Sequence, residues 1–246
     1  MGCVHPKATG GEDAVRRVKQ VIPTAKVISL VPAGNGNLTE HDKNRDANRQ
    51  ADDLARLAEA STTEPAAMLR GDYDPELSED SAILDRQNFA ALANTVPIRH
   101  KWARWQLLYS SGRDGISLAT LYRHAGKCPS VLVVRDMQQY VFGCYTSESW
   151  RIQPRYYGNG ECFAFQIQPR AVFWRWWAKR MAVARNDYFQ FSLPERLCLG
   201  GAPRYALSLD ADLQYGSSGM SDTFGSPCLA SNEDFEVGRV ELWGLQ

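Results

Sequence analysis

Residues 102–123 read WARWQLLYSSGRDGISLATLYR, and the spacing of their apolar side chains decides the fold. Trp105, Leu107 and Tyr109 alternate with Gln106, Leu108 and Ser110, a period of two that predicts a strand with one preferred buried face. Gly112 and the pair Asp114-Gly115 then supply backbone freedom for a turn. Ser117 stands where a helix N-cap belongs, ahead of Leu118, Leu121 and Tyr122 at i, i+3 and i+4, and Gly126 closes that helix. The unit is strand, tight loop, short helix, and its large apolar side chains require a partner surface.

The flanking sequence supplies one. Upstream, residues 83–94 have helical spacing, with Phe89, Leu92 and Val96 on one stripe and Pro97 as the stop. Downstream, residues 131–134 and 140–145 are β-rich runs joined by 135–139, which predicts a hairpin. Phe163, Phe165 and Ile167 alternate with Ala164, Gln166 and Gln168 in a further strand, and residues 188–191, 205–209 and 239–243 add short ones. Many short strands with few helices imply an α+β fold, mainly β: a two-layer β-sandwich of antiparallel strands with flanking helices.

Five blocks in order resemble the TLDc domain family. They are the W-x-L-L-Y-S strand, D-G-x-S-L loop and T-L-Y-R helix within 105–123, VLVVRDMQQYVFGC at 131–144, YGNGECFAF at 157–165, LDADLQYGSSGMSDTF at 209–224, and VELWG at 240–244. The resemblance implies the same sandwich over residues 81–246, a role in protection against oxidative damage, and contact with the vacuolar proton-pumping ATPase. It implies no shared catalytic constellation. Glu161 and Glu241 fall inside the matching blocks and are expected as buried acids.

Composition places few limits on this picture. The 246 residues are 44% hydrophobic and 23% charged, ordinary for a globular chain, and 28 basic residues balance 28 acidic ones. No global field favours nucleic acid, and no nucleic-acid partner is expected. The six cysteines are widely spaced without a C-x-x-C, and no apolar run at the N-terminus reads as a signal peptide, so a reducing, cytoplasmic setting is expected.

Residues 1–80 read as an extension. Gly2 and Cys3 after the initiator Met1 form the pattern of dual acylation, myristoyl on Gly2 and palmitoyl on Cys3, although Pro6 occupies the place where the favoured motif has Ser or Thr. One acyl chain binds membrane only weakly, at about 10⁴ M⁻¹, so a second lipid on Cys3 matters. Five bases between Lys7 and Lys26, against Glu12 and Asp13, add attraction to anionic lipid. The expectation is a peripheral, lipid-anchored chain on the cytosolic face of a membrane; the alternative is an unmodified terminus. Residues 14–31 allow a short helix ended by Pro23 and an extended piece, and 40–60 a polar helix. Residues 61–80 carry six carboxylates against Arg70 and two prolines, which predicts a linker and a domain boundary near Asp80.

One further stretch departs from the family pattern. In FWRWWAKRMAVARND, Trp174, Trp176 and Trp177 interleave with Arg175, Lys179 and Arg180, a composition that suits either partial packing or a contact surface for an acidic partner or lipid headgroups.

Catalytic patterns are weak. His5 and His41 lie outside the expected domain, leaving His100 and His124 as candidate bases. Gly216-Ser217-Ser218-Gly219 approaches a nucleophile elbow but has Met220 in the last place, and reads as a turn. Neither the cysteines nor Asp210-Ala211-Asp212 has metal-ligand spacing, and the glycine pairs lack a phosphate-cradle context, so neither metal nor cofactor is expected. Cys198, beside Arg196, is the best-placed candidate for a reactive thiol. The function expected is a non-enzymatic interaction and regulatory module that acts through a protein partner, with vacuolar ATPase subunits implied by the resemblance. The alternative is a stress-protective hydrolase or thiol enzyme.

Overall fold

The computed structural model describes residues 74–176 and 186–246. The acylation pair Gly2 and Cys3, the elements expected within 14–60, and Trp177, Lys179 and Arg180 lie outside the described residues.

The organising stretch folds as its period dictates. Strand β1 (Trp105–Ser110) buries Trp105, Leu107 and Tyr109. The expected turn contains one short helical turn, α2 (Ser111–Asp114), whose C-cap Gly115 has φ +84°, a left-handed value that favours glycine. Ser117 caps α3 (Leu118–His124) by accepting a hydrogen bond from the Thr120 amide. Upstream, α1 (Arg86–Thr95) begins at Asp85, whose carboxylate accepts from the Asn88 amide, and ends at Val96 before Pro97.

Ten strands follow: β2 (Ser130–Asp136), β3 (Val141–Thr146), β4 (Gln153–Tyr157), β5 (Phe163–Gln168), β6 (Val172–Arg175), β7 (Gln190–Leu193), β8 (Arg196–Leu199), β9 (Leu207–Asp210), β10 (Tyr215–Ser217) and β11 (Asp234–Leu245). The chain is therefore α+β and mainly β, with every pairing between strands antiparallel. Their order is β4-β7-β8-β9-β10-β11-β2-β3-β5-β6, with β1 also on β11. Strand β11 is the seam: Asp234, Phe235 and Glu236 pair with β10, whereas the stretch from Val237 to Gly244 pairs with β2, with a register shift between Val237 and Arg239.

The sheet closes on itself about that seam. Leu132, Val134, Phe142, Val240 and Leu242 from one half share a core with Leu197, Leu199, Leu207 and Leu209 from the other, so two facing layers are built from a single hydrogen-bonded sheet. The alternate side chains of the first half, Val131, Val133, Phe163, Phe165 and Trp243, form a second core under α1. Residues expected to belong to the linker contribute as well. Trp105 donates to the Glu76 carbonyl and Ser78 donates to the Trp105 carbonyl, which docks 76–78 on β1 ahead of the boundary expected near Asp80.

Phe89 joins α1 to the sheet, with its ring edge-on to Trp105 at 5.5 Å and to Trp243 at 4.9 Å. Replacing Phe89 with Ala should cost about 3–5 kcal/mol in urea unfolding. A loss below about 1 kcal/mol would mean that the α1 layer is not part of the cooperative unit.

Candidate functional site

The outer face of the second half-sheet carries two adjoining concavities. Along β8, Leu197 and Leu199 point into the shared core, so Cys198 faces outward beside Phe191 of β7 and Ser208 of β9. Tyrosines roof this row. Tyr156 of β4 stacks on Tyr188 with centroids 4.4 Å apart and planes 20° from parallel, and it meets Phe191 at 5.3 Å. Gly201 makes the stack possible, because a Cβ there would lie 2.8 Å from the Tyr188 ring. Tyr205 lies close to Tyr156 and Cys198.

The result is an open cleft of 440 Å³ walled by Tyr156, Tyr188, Pro203, Arg204 and Tyr205, with Ser217, Gly219 and Asp234 opposite. A second depression of 520 Å³ shares Ser217 and Asp234 and continues past Tyr215 and Arg196. Arg204 pairs with Glu233 at the lip. Burial raises the phenol pKa of Tyr156 and of Tyr205, so both are neutral and offer hydroxyls as donors and acceptors. The cleft has aromatic faces, one arginine and one aspartate. No histidine is among its lining residues.

The expected chemical groups lie elsewhere. Ser218 is buried, donates to the Ala206 carbonyl and accepts from the Leu229 amide, so its hydroxyl is fully engaged in structure. His124 sits 3.8 Å from the Asp114 carboxylate. His100 packs against Tyr145, and burial followed by the nearby Arg99 charge lowers its pKa. Cys198 donates to Ser208, and burial pushes its thiol up to about 11 in spite of the Arg196 charge. Burial also raises Cys144 and Cys162, which places all three thiols far from thiolate reactivity at neutral pH. Among the described residues no group of three or more His, Cys, Asp or Glu side chains has metal-site geometry, and no helix is long and apolar enough to cross a membrane.

The two acids expected to be buried differ. Glu241 is buried and accepts from Ser81 Oγ, the Ala82 amide and Trp243 Nε1. Glu161 is not buried: it occupies a turn before β5 and pairs with Arg99, which approaches from the α1 side. In the basic-aromatic stretch, Trp174 and Trp176 are partly buried against the shared core, and Trp176 donates to the Asn186 carbonyl. Arg175 donates to the Thr95 carbonyl and lies 5.5 Å over the Phe163 ring. None of the three lines the cleft. The cleft tyrosines were not singled out from sequence; the available signal was Tyr156-Tyr157, where a strand must send one ring inward and the next outward.

The sequence pattern that defines the TLDc domain matches residues 77–246. The chain belongs to the TLDc family. It is similar to Nuclear receptor coactivator 7 of Gallus gallus, 34% identical over 174 residues, covering 70% of this chain and 19% of that protein. It is also similar to Oxidation resistance protein 1 of Xenopus tropicalis, 32% identical over 188 residues, covering 74% of this chain and 21% of that protein. The chain thus spans about a fifth of the length of these relatives. The docked residues 77 and 78 ahead of Asp80 fall within the matched TLDc region.

Two measurements probe the site electrostatics. The hydrogen bond and charge of Arg99 hold the Glu161 carboxyl below its ordinary range. Its stabilisation is therefore fully present above the unfolded value of about 4.3 and is lost as pH falls through the lower folded value. For so exposed a pair this amounts to about 0.2–1 kcal/mol. The stability difference between the parent and Glu161→Gln should vanish in acid; a difference constant from neutral to acid pH contradicts the pairing. In native alkylation with iodoacetamide followed by mass spectrometry, the half-buried Cys128 and Cys228 should react before Cys144, Cys162 and Cys198. Early labelling of Cys198 would reopen the thiol-enzyme reading.

Proposed function

We propose that this TLDc domain is a non-enzymatic interaction and regulatory module of oxidative-stress protection, working on the cytosolic face of a membrane. The observation that carries the reading is the character of the cleft: aromatic walls, neutral phenols and an arginine at the lip, with the two described histidines outside it. Tyrosine and arginine are the residue types that dominate protein recognition, since they present large contact area with little conformational entropy to lose. The name of the relative Oxidation resistance protein 1 supports the stress-protection part. The family resemblance points to the vacuolar proton-pumping ATPase as the partner. Acylation at Gly2 and Cys3 would tether the domain beside such a membrane-bound complex and raise its effective concentration there.

The test uses the full chain expressed in its own cells. Purified vacuolar ATPase cytosolic sector should be captured by the parent and captured about tenfold less by a Tyr156→Ala, Tyr188→Ala variant of unchanged circular dichroism. Gly2→Ala should move the protein from the membrane to the soluble fraction. Equal capture by both proteins removes the cleft from the reading. Equal membrane fractionation of Gly2→Ala removes the tether.

A further inference from the structure

A second surface lies away from the cleft, where the chain leaves α1. Pro97 stops the helix, and three successive tight turns follow: His100 donates to the Pro97 carbonyl at 2.8 Å, Lys101 to Ile98 at 3.2 Å and Ala103 to His100 at 3.1 Å. The backbone of 97–103 is thereby held as a short knuckle beginning with a 3-10 turn, Ile98–His100. It presents the two most exposed large hydrophobic side chains among the described residues, Ile98 at 80% and Trp102 at 72%. Every other described tryptophan is buried or half-buried in the two cores.

The surroundings of these two tips are cationic. Lys101 places its ammonium 5.5 Å from the centre of the Trp102 ring. Arg99 and Arg104 flank it, in exposed pairs with Glu161 and Glu76, and Arg175 joins them by donating to the Thr95 carbonyl. Residues 97–104, PIRHKWAR, contain no carboxylate of their own. Four cations thus face two carboxylates around a protruding Ile and Trp.

We propose that the 97–104 knuckle docks on an anionic lipid bilayer, with Ile98 and Trp102 entering the interfacial zone and Lys101, Arg99 and Arg104 meeting the headgroups. An indole suits that zone because its body is apolar and its N–H stays wet, and long cationic side chains lie along the interface with their charges in water. Each base near the surface adds attraction that salt screens. A protein hot spot sits near the centre of a well-packed, desolvated pocket. Here the apolar tips project instead of lining a recess. The inference does not depend on acylation: it concerns a contact made by the folded domain itself.

The experiment uses the full chain made in bacteria, where it carries no acyl group, and sedimentation with vesicles of phosphatidylcholine alone or mixed with phosphatidylserine. The parent should sediment with the mixed vesicles, less with the neutral ones, and less as salt is raised. Ile98→Ser with Trp102→Ala should weaken binding about tenfold or more, in line with the apolar area withdrawn. Lys101→Glu should weaken binding to mixed vesicles only. As an independent readout, brominated lipid should quench the parent's tryptophan fluorescence, and the mild replacement Trp102→Phe should abolish that quenching. Absence of binding to mixed vesicles, equal binding to neutral ones, or quenching unchanged in Trp102→Phe would each overturn the proposal. So would vesicle binding retained in full by the double variant. Since the acyl groups are absent throughout, failure here leaves the Gly2 and Cys3 tether to its own test.

Discussion

The architecture depends on one strand serving two layers. Strand β11 begins as the partner of β10 and ends as the partner of both β1 and β2, so the two halves of the sheet cannot separate without breaking a continuous ladder. Just after the switch from β10 to β2 the register shifts at Gly238, where a Cβ would lie 3.0 Å from the Arg135 carbonyl oxygen and crowd the β2 backbone. Past that point both faces of the strand are covered. Val240 and Leu242 enter the shared core, while Trp243 and Leu245 enter the core under α1. A strand buried on both faces has no polar face, which accounts for the nearly uninterrupted burial of its last six residues.

Glu241 interrupts that apolar run, and its partners show what it is for. Its carboxylate gathers a serine hydroxyl, a backbone amide and an indole N–H, and two of those three donors belong to the segment that leads into α1. A buried acid with three donors is costly to desolvate and more costly to leave unpaired, so it fixes position more than it adds net stability. The effect is to pin residues 81–82 above the end of the seam strand. That in turn sets where α1 lies and where Phe89 reaches the tryptophans.

Where the sequence was legible, a local cause was sufficient. The strand 105–110, the serine cap of the following helix and the hairpin after it are each specified by residues within a few positions of one another. Legibility failed where long-range placement decides. Strand β11 read as 239–243 because its first part alternates with exposed residues and belongs to the other half-sheet. The strands β4, β6, β8 and β10 run three to five residues and show no period of their own. Glu161 and Glu241 sit in equally recognisable blocks, yet only one is buried, because Arg99 arrives beside Glu161 from a distant part of the chain. The cleft was invisible for the same reason: Tyr156 and Tyr188 meet only once β4 pairs with β7 in register.

The layering also constrains how this chain can act. The first half-sheet is covered on both faces, by the shared core and by α1, so it has no free face on which to build a site. Among the described residues the second half-sheet is covered on one face, and its other face holds the cleft. Cys198, which faces outward there, lies under the tyrosines, and burial keeps its thiol protonated. The exposed knuckle belongs to the α1 layer and lies across the shared core from that face. A domain that met lipid through one layer would leave the other open to a protein partner, and each contact would raise the effective concentration for the other without a rearrangement of the fold.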